Sequence, residues 1–173
     1  MTIAETERLL IRELDAAADA EFVHELLNTP AFLHYIGDRG VRSVEQAHTF
    51  IDERYRASYR DHGYGLYLVA LRNGESASGQ SIGICGFVKR AHMEHPDIGF
   101  AFLPEFEGRG FGFESADAML SFGRESLGFQ KVLAITSQDN DSSGKLLIKL
   151  GFAFSGNITS PEGEVLKLYE ITL

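Results

Sequence analysis

The stretch LPEFEGRGFG, residues 103–112, contains three glycines, Gly108, Gly110 and Gly112, that alternate with larger residues. It lies between a predicted strand and a predicted helix. Alternating glycines allow successive backbone N–H groups to face one concave surface, and the first turn of the following helix adds the positive end of its dipole. Arg109 adds a planar cation that can reach a phosphate oxygen. The stretch therefore predicts a site for an anionic group, and its geometry suits a pyrophosphate.

Two other phosphate-binding loops do not fit these residues. The dinucleotide fingerprint requires a glycine where Phe113 stands, and no Gly-Lys-Ser/Thr follows the glycines. A Rossmann dehydrogenase and a P-loop NTPase are therefore not supported. The glycines could also form only a tight turn between strand and helix, so the phosphate hypothesis needs a second signal in the chain.

Outward from this loop, the hydrophobic pattern predicts a mixed α/β fold with helices on both faces of a sheet. The predicted elements, in chain order, are a strand at 8–14, a helix from 15 to about 28, a helix from 44 to about 63, strands at 66–72, 81–89 and 97–103, a helix at 113–127, a strand at 131–136, a helix at 142–150, and strands at 153–158 and 165–172. The three central strands are expected to form an antiparallel meander.

Local signals mark the ends of several elements. Asp15 is the predicted N-cap of the first helix. Ser43 and Gln46 form a capping box for the second helix. Asn73-Gly74, followed by a polar loop, is a turn signal between the first two strands of the meander. These signals support one continuous domain over residues 1–173, without an internal repeat or a linker.

The composition excludes several classes of protein. Sixteen Lys and Arg residues against 25 Asp and Glu residues give a formal net charge of −9. This acidic balance argues against a nucleic-acid partner, because phosphate neutralisation needs clustered cations, whereas a cationic ligand such as an amine would be attracted. The sequence contains no apolar run of membrane-spanning length and no secretion signal. We therefore expect no membrane association and a cytoplasmic location.

The sulfur and imidazole groups do not indicate a metal or disulfide framework. Cys85 is the only cysteine, which excludes an intrachain disulfide and a thiolate zinc cluster and fits a reducing cytoplasm. It lies in an apolar strand and is interpreted as a core residue. His92 and His95 precede Pro96 in a predicted turn and lack a third ligand, so no metal site is expected.

The second signal is NDSSGKLLIKLGF, residues 140–152. With it, the sequence resembles the GNAT superfamily of acetyl-CoA-dependent N-acetyltransferases. Members of this superfamily have a glycine-rich pyrophosphate loop between a strand and a helix, an Asn after the next strand, and Leu-Gly-Phe at the end of the next helix. The opening TERLLIR, residues 6–12, is similar to the Rim-type branch, which acetylates the N-termini of ribosomal proteins.

The resemblance implies a GNAT fold, with a central twisted, mixed, seven-stranded sheet flanked by about four helices. It also implies that the sheet splays between its fourth and fifth strands, which end near Leu103 and Thr136, and that the pantetheine arm of acetyl-CoA enters this gap. A homodimer is common among members, so a second copy of the chain is a possible partner.

The resemblance also assigns the cofactor-binding residues. The main chain of Phe102 and Leu103 would pair with pantetheine, and Asn140 would contact the cofactor. Ser143 would lie near the sulfur of the cofactor. The residues that would hold the pyrophosphate are Gly108, Arg109, Gly110, Phe111 and Gly112.

The chain departs from the family pattern at two positions. Glu107 places a negative charge beside the phosphate site, where many members have Gln or Arg. Leu147 stands where many relatives have a tyrosine that protonates the departing thiolate, and in the Rim-type branch a serine that matches Ser143 is assigned this role. Ser143 is explained equally well as a helix cap.

Acetyl transfer to an amine requires a neutral nucleophile. A lysine side chain has an ordinary pKa of about 10.4, whereas an N-terminal α-amine has a pKa of about 7.7 to 8.0 and asks less of a base. Asp97, at the start of the strand that leads to the loop, is the candidate base, acting through water. The alternative is that Asp97 is only an exposed residue at the end of the His-Pro turn. Residues 34–38 resemble the acceptor-side loop of the family.

We predict that the protein transfers the acetyl group of acetyl-CoA to a primary amine by direct attack, most simply to the N-terminus of a protein or peptide. One alternative is a small amine acceptor, such as a polyamine, an amino acid or an aminoglycoside. A second alternative is a CoA-binding module without catalysis, which Glu107 and Leu147 suggest.

Overall fold

A computed structural model describes residues 1–72 and 79–173. The strands are β1 (Thr2–Glu5), β2 (Leu9–Arg12), β3 (Leu66–Leu71), β4 (Ser81–Val88), β5 (Asp97–Phe102), β6 (Lys131–Thr136), β7 (Ala153–Thr159) and β8 (Val165–Thr172). The helices are α1 (Ala20–Leu27), α2 (Pro30–Tyr35), α3 (Val44–Phe50), α4 (Ala57–His62), α5 (Phe111–Glu125) and α6 (Asp141–Leu150). A π-helical segment, Ile51–Arg56, joins α3 to α4 and makes one continuous rod.

The strands form one eight-stranded sheet in the order β1-β2-β3-β4-β5-β6-β8-β7. All neighbours are antiparallel except β5 and β6, which are parallel. The predicted meander of β3, β4 and β5 is confirmed. The predicted mixed α/β architecture is confirmed as well.

The sheet opens between β5 and β6. Within these two fully described strands, Asp97 and Leu133 are the one registered pair, at the beginning of β5. The main-chain N–H of Leu133 also donates to the carbonyl of Pro96, at 2.9 Å. Toward Phe102 and Thr136 the two strands separate, which confirms the predicted splay and places a gap at the end that leads to the glycine-rich loop.

Two helical predictions near the N-terminus need correction. Asp15 does not cap α1, because its carboxylate accepts from Ala18 N in a separate turn and the helix begins only at Ala20. The short helix α2 was expected to be a loop. Thr29 caps it by accepting from Phe32 N, and Pro30 occupies its first turn. Six residues are too few for an apolar period to appear in the sequence.

The strand count is eight where seven were expected, because the N-terminal segment makes two short strands. β1 and β2 pair with each other, and β2 continues into the central sheet through β3. The Asn73-Gly74 turn lies outside the described residues. The predicted N-cap of α3 is confirmed, since Ser43 Oγ accepts a hydrogen bond from Gln46 N at 3.1 Å. The side chain of Gln46 does not complete the capping box, because its Oε1 accepts from Arg42 N.

The core lies on both faces of the sheet. Helix α5 packs against β1, β2, β4 and β5, and α6 packs against β6 and β7. Cys85 is completely buried in β4, which confirms its interpretation as a core residue, and burial raises the pKa of its thiol to about 12. With this packing, the first turns of α5 and α6 lie beside the gap.

Candidate active site

The glycine-rich loop between β5 and α5 has a backbone that only glycine adopts easily. Gly108 and Gly110 have φ angles of +71° and +85°, in the left-handed region. Gly110 is the residue just before α5, and its carbonyl accepts from Glu114 N at 3.1 Å. The predicted tight turn is therefore present, and its backbone also sets the direction of the amides that follow.

The amides of the loop are available to a ligand. Within the described part of the chain, the N–H groups of Gly108, Arg109 and Gly110 donate to no protein acceptor. The first N–H groups of α5 also have no intrahelical partner, as at the start of any helix. Glu107 is exposed, so its carboxylate can remain in water. The donor set fits a diphosphate, and Glu107 does not prevent its binding.

A charged cluster from the N-terminal strands holds this loop in place. Glu114, in the first turn of α5, accepts from Thr6 Oγ1 at 2.6 Å, from Arg8 N at 3.0 Å and from Arg8 Nε at 2.7 Å. Arg8 Nη1 donates to the carbonyl of Arg109 at 3.0 Å, and the guanidinium lies 4.3 Å from the centre of the Phe111 ring. We call Thr6, Arg8 and Glu114 the loop brace.

The sequence analysis did not predict the loop brace. There, residues 6–12 supported only the resemblance to a branch of the family. Burial alone would raise the pKa of Glu114, but the hydrogen bonds from Thr6 and Arg8 outweigh it and lower that pKa. Arg8 and Glu114 are separated by more than 100 residues, so no local pattern could reveal the pair.

The main chain of Phe102, at the end of β5, faces the gap. Leu103 N donates to the carbonyl of Ile82 at 2.9 Å, and the carbonyl of Leu103 accepts from Phe106 N at 3.0 Å. Hydrogen-bonded and non-bonded pairs alternate in an antiparallel ladder. Phe102, which pairs with Gly83, therefore directs its N–H and carbonyl away from β4 and toward the gap. Of the two residues expected to pair with pantetheine, Phe102 is the one with free main-chain groups.

An unsatisfied polar atom lies beside the gap, at the end of β6. Thr136, at the end of β6, is 7% exposed, and its Oγ1 has no hydrogen-bond partner among the described residues. A buried hydroxyl without a partner costs about 1 to 3 kcal/mol. Such a cost is removed when a polar ligand enters, so this end of the gap fits the polar arm of a cofactor rather than a purely apolar group.

Asn140 caps helix α6 at the edge of the same gap. Its Oδ1 accepts from Ser143 N at 3.2 Å. The cap of α6 is thus supplied by the side chain of Asn140, and the hydroxyl of half-buried Ser143 is not required for it. Of the two interpretations of Ser143, helix capping is therefore the one that the structure does not support.

Asp97 is not the exposed turn residue of the alternative interpretation, which is wrong. It is 2% exposed, and its Oδ1 accepts from Arg90 Nε at 2.9 Å. Burial raises the pKa of this carboxyl to about 6, although Arg90 opposes the shift. Asp97 lies at the closed end of the β5–β6 pair, whereas Ser143 and Thr136 lie at the open end. The sequence analysis placed Asp97 and Ser143 in one site. In the structure, Asp97 lies at the end where β5 and β6 pair, and Ser143 lies at the end where they separate.

A side-chain contact joins α2 to the connection between β6 and α6. His34 Nε2, in α2, lies 2.7 Å from Asp139 Oδ2, in the connection that precedes Asn140. Ser137 Oγ donates to the other oxygen of Asp139 at 2.9 Å. The hydrogen bonds from His34 and Ser137 lower the pKa of Asp139. Three large apolar side chains in and after α2 are exposed, namely Leu33 (40%), Tyr35 (38%) and Ile36 (41%).

In residues 1–72 and 79–173, no three His, Cys, Asp or Glu side chains gather as a metal site. In the same residues, no helix has the length and apolar character needed to cross a membrane.

Comparison with known proteins agrees with this geometry. Residues 8–153 match the family model described as "Acetyltransferase (GNAT) domain". The uncharacterized N-acetyltransferase YoaA of Bacillus subtilis (strain 168) is 29% identical over 155 residues, which cover 89% of this chain and 84% of YoaA. The uncharacterized N-acetyltransferase YnaD of the same organism is 26% identical over 151 residues, which cover 87% of this chain and 82% of YnaD.

Solved structures share the fold. An acetyltransferase from Agrobacterium tumefaciens str. C58 superposes with a TM-score of 0.81 at 21% identity, over 100% of this chain and 95% of that chain. RimL, a ribosomal-protein α-N-acetyltransferase in complex with coenzyme A, superposes with a TM-score of 0.79 at 17% identity, over 100% of this chain and 98% of that chain.

Proposed function

The chain belongs to the acetyltransferase (GNAT) domain family, and from that premise we propose that it acetylates the α-amino group of a protein or peptide N-terminus. The family makes it an enzyme that transfers an acetyl group from acetyl-CoA to an amine. The observation that carries the choice of a peptide is the exposed apolar rim of Leu33, Tyr35 and Ile36, joined to the cofactor side through His34 and Asp139. Such a rim suits an extended chain better than a small polar amine.

The residues that would hold the cofactor are those whose donors are free. The amides of Gly108 to Gly112, with Arg109, would bind the diphosphate, and the main chain of Phe102 would pair with pantetheine. The side-chain amide of Asn140 would donate to the cofactor while its Oδ1 caps α6. Acetyl-CoA supplies the activated acetyl group as a thioester when it binds.

The two proton transfers are assigned to separate residues. The carboxylate of Asp97 accepts the proton of the attacking amine through water, and its pKa of about 6 leaves it mostly ionised at neutral pH. The hydroxyl of Ser143, which capping does not use, donates toward the departing thiolate. An α-amine fits this arrangement because it is already neutral to a useful extent near pH 7, unlike a lysine side chain.

A small cationic amine is the second candidate acceptor. The net charge of −9 and the exposed carboxylate of Asp139 beside the rim favour it. This candidate uses the same cofactor site and the same proton donors, and differs only in what occupies the rim.

The test is acetylation of a matched panel with acetyl-CoA, followed through thiol release and through mass spectrometry that locates the acetyl group. The panel contains peptides with free N-termini, the same peptides with blocked N-termini and an internal lysine, and polyamines, amino acids and aminoglycosides. We expect release only with free α-amines of peptides. Release with polyamines or aminoglycosides alone, or acetylation of the internal lysine, would contradict the proposed acceptor.

A further inference from the structure

Two hydroxyl groups lie on the same face of the sheet at the open end of the gap. In the ladder between β6 and β8, Thr136 is opposite Lys167, and Ala134 is opposite Tyr169. Side chains of opposite residues share a face, as do residues two apart on one strand. Thr136 and Tyr169 are therefore diagonal neighbours on one face, close enough for a long aromatic side chain to approach the threonine.

The phenol of Tyr169 lies against the first turn of α6. Its oxygen is 2.7 Å from the position that a Cβ would occupy at Gly144, so any side chain at this residue would displace the phenol. The ring packs edge-on to Phe154, with 5.6 Å between centroids, and Tyr169 is 6% exposed. The absence of a side chain at Gly144 thus lets the phenol reach the helix turn that carries Ser143.

These hydroxyls have no protein partner that would explain them. Among the described residues, Thr136 Oγ1 is the one buried side-chain polar atom without a hydrogen-bond partner. The phenol oxygen of Tyr169 makes no hydrogen bond within these residues, but it keeps some accessible surface and is not enclosed. Buried polar groups are normally paired. The buried Thr136 hydroxyl and the accessible phenol of Tyr169 share one face of the sheet, beside the turn that Asn140 caps and near the place where β5 and β6 separate. Together they indicate a polar ligand group between them.

We propose that Tyr169 is a catalytic residue that donates its phenolic proton to the sulfur of the departing CoA, with Thr136 hydrogen-bonded to the neighbouring polar part of the cofactor. This proposal rests on the acetyl transfer proposed above and deepens it. The amine nitrogen forms a bond to the acetyl carbon, the carbon–sulfur bond breaks, and the sulfur takes the proton of the phenol. The phenolate then takes a proton from water, and the proton lost by the amine goes to the base.

In this proposal the phenol replaces Ser143 as the donor of the proton to the departing thiolate. A phenol is a stronger acid than an aliphatic hydroxyl, so it gives a proton to a thiolate with a smaller energetic penalty. Ser143 is adjacent to Gly144 in the same turn and can contribute a hydrogen bond to the same sulfur. Tyr169 comes from β8, a strand far from residues 140–152 in the sequence, so no local motif announces it.

The first test is Tyr169→Phe, which keeps the ring against Phe154 and removes only the hydroxyl. We expect kcat to fall about one hundredfold, at the lower end of the range for general acid catalysis, with KM for acetyl-CoA changed by less than about twofold. Tyr55→Phe is the matched control, because it removes another buried phenol in the α3–α4 rod, and its kcat should match that of the wild type. Tyr169→Phe with an unchanged kcat would overturn the proposal.

The second test measures binding and needs no acceptor. Calorimetry compares CoA with desulfo-CoA, which lacks the sulfur. For Tyr169→Phe we expect affinity for CoA to fall about fivefold, the value of one typical hydrogen bond, and affinity for desulfo-CoA to stay constant. An equal loss for both ligands would assign Tyr169 a packing role and overturn the proposal.

The binding comparison also separates this proposal from the choice of acceptor. If peptide N-termini are not acetylated, the kcat test is repeated with the amine of the panel that is acetylated. The comparison of CoA with desulfo-CoA needs no acceptor and is carried out in the same way. Thr136→Val provides a further check that does not involve the phenol. We expect this variant to be more stable without ligand, since the unsatisfied hydroxyl is gone, and to bind both CoA and desulfo-CoA more weakly. If Thr136→Val binds CoA and desulfo-CoA as tightly as the wild type does, the proposed hydrogen bond between Thr136 and the cofactor is contradicted.

Discussion

Gly110 shows how much of the site depends on single backbone conformations. With φ at +85°, it closes the loop and precedes the first turn of α5. An L side chain is strained in this region, and a Cβ here would also lie 3.2 Å from Arg8 Nη2. Gly110 therefore serves both the direction of the loop amides and the close approach of Arg8.

Gly110→Val should abolish binding of CoA, because a β-branched residue opposes the left-handed backbone and pushes Arg8 from the loop. Calorimetric titration with CoA measures the effect. Gly163→Val is the matched control, since Gly163 has a φ of +88° in the β7–β8 turn and open space around it. The control should lose stability without losing affinity. Unchanged CoA affinity in Gly110→Val would remove the loop from the cofactor site.

Asp97 should make the stability of the protein depend on pH in an unusual direction. Burial raises its pKa from 3.8 to about 6, so between these values the folded chain keeps a proton that the unfolded chain has released. The free energy of unfolding contributed by this group therefore falls as pH rises from about 4 to 6, by about 3 kcal/mol in total.

Denaturant unfolding of the wild type and Asp97→Asn across this pH range measures that contribution as a difference. The comparison is needed because carboxyls with lowered pKa, such as Glu114 and Asp139, gain stability as pH rises. The stability of Asp97→Asn relative to the wild type should increase from pH 4 to pH 6. A constant difference would show that Asp97 has an ordinary pKa in the folded protein.

At the scale of elements, the site is assembled by contacts between segments that are distant in the chain. The connection between β1 and β2 carries Thr6 and Arg8 to the first turn of α5, where Glu114 receives both. The N-terminal segment thus supports the glycine-rich loop without contributing to the gap itself. We interpret the loop brace as a device that orders the loop before the cofactor binds, which reduces the entropy lost on binding.

Arg8→Leu should weaken the binding of acetyl-CoA about tenfold, because the hydrogen bonds of a charged side chain to Glu114 and to the carbonyl of Arg109 are lost. At saturating cofactor, kcat should remain within about twofold, since the reacting atoms lie elsewhere. Steady-state kinetics with varied acetyl-CoA separate the two effects. Arg124→Leu, which removes an exposed pair with Glu125 at the other end of α5, should change neither value. A fall in kcat alone would contradict a role in loop ordering.

At the scale of the whole molecule, one sheet connects the proposed cofactor gap to the proposed acceptor rim. The gap between β5 and β6 interrupts its hydrogen bonding, and the rim around α2 lies beside the connection that leads into α6. The chain as a whole carries a net charge of −9. A basic acceptor is therefore attracted over distances longer than any contact at the rim.

This attraction should be visible in the salt dependence of the reaction. For two peptides with the same first residue, one followed by lysines and the other by glutamates, we expect kcat/KM of the basic peptide to be higher at low salt. Its kcat/KM should fall as the screening length shortens from about 10 Å at 0.1 M to about 3 Å at 1 M. Initial rates at several salt concentrations measure this. The same salt dependence for both peptides would exclude electrostatic steering.

The sequence by itself determined the fold and the position of the glycine-rich turn between β5 and α5. Apolar periodicity and turn residues act locally, so the order of strands and helices from β3 onward was predictable, and the alternating glycines at 108–112 required a particular turn. The assignment of roles to Asp97 and Ser143 stays a prediction.

Only the tertiary structure decided which side chains meet. The burial of Asp97, the pairing of Arg8 with Glu114 and the approach of Tyr169 to Gly144 each depend on how strands are ordered in the sheet. A short pattern in the chain carries no information on such contacts, because the partners are brought together by packing and not by spacing along the sequence. For the same reason, the proximity of the Thr136 and Tyr169 hydroxyls follows only from the pairing of β6 with β8 in the sheet.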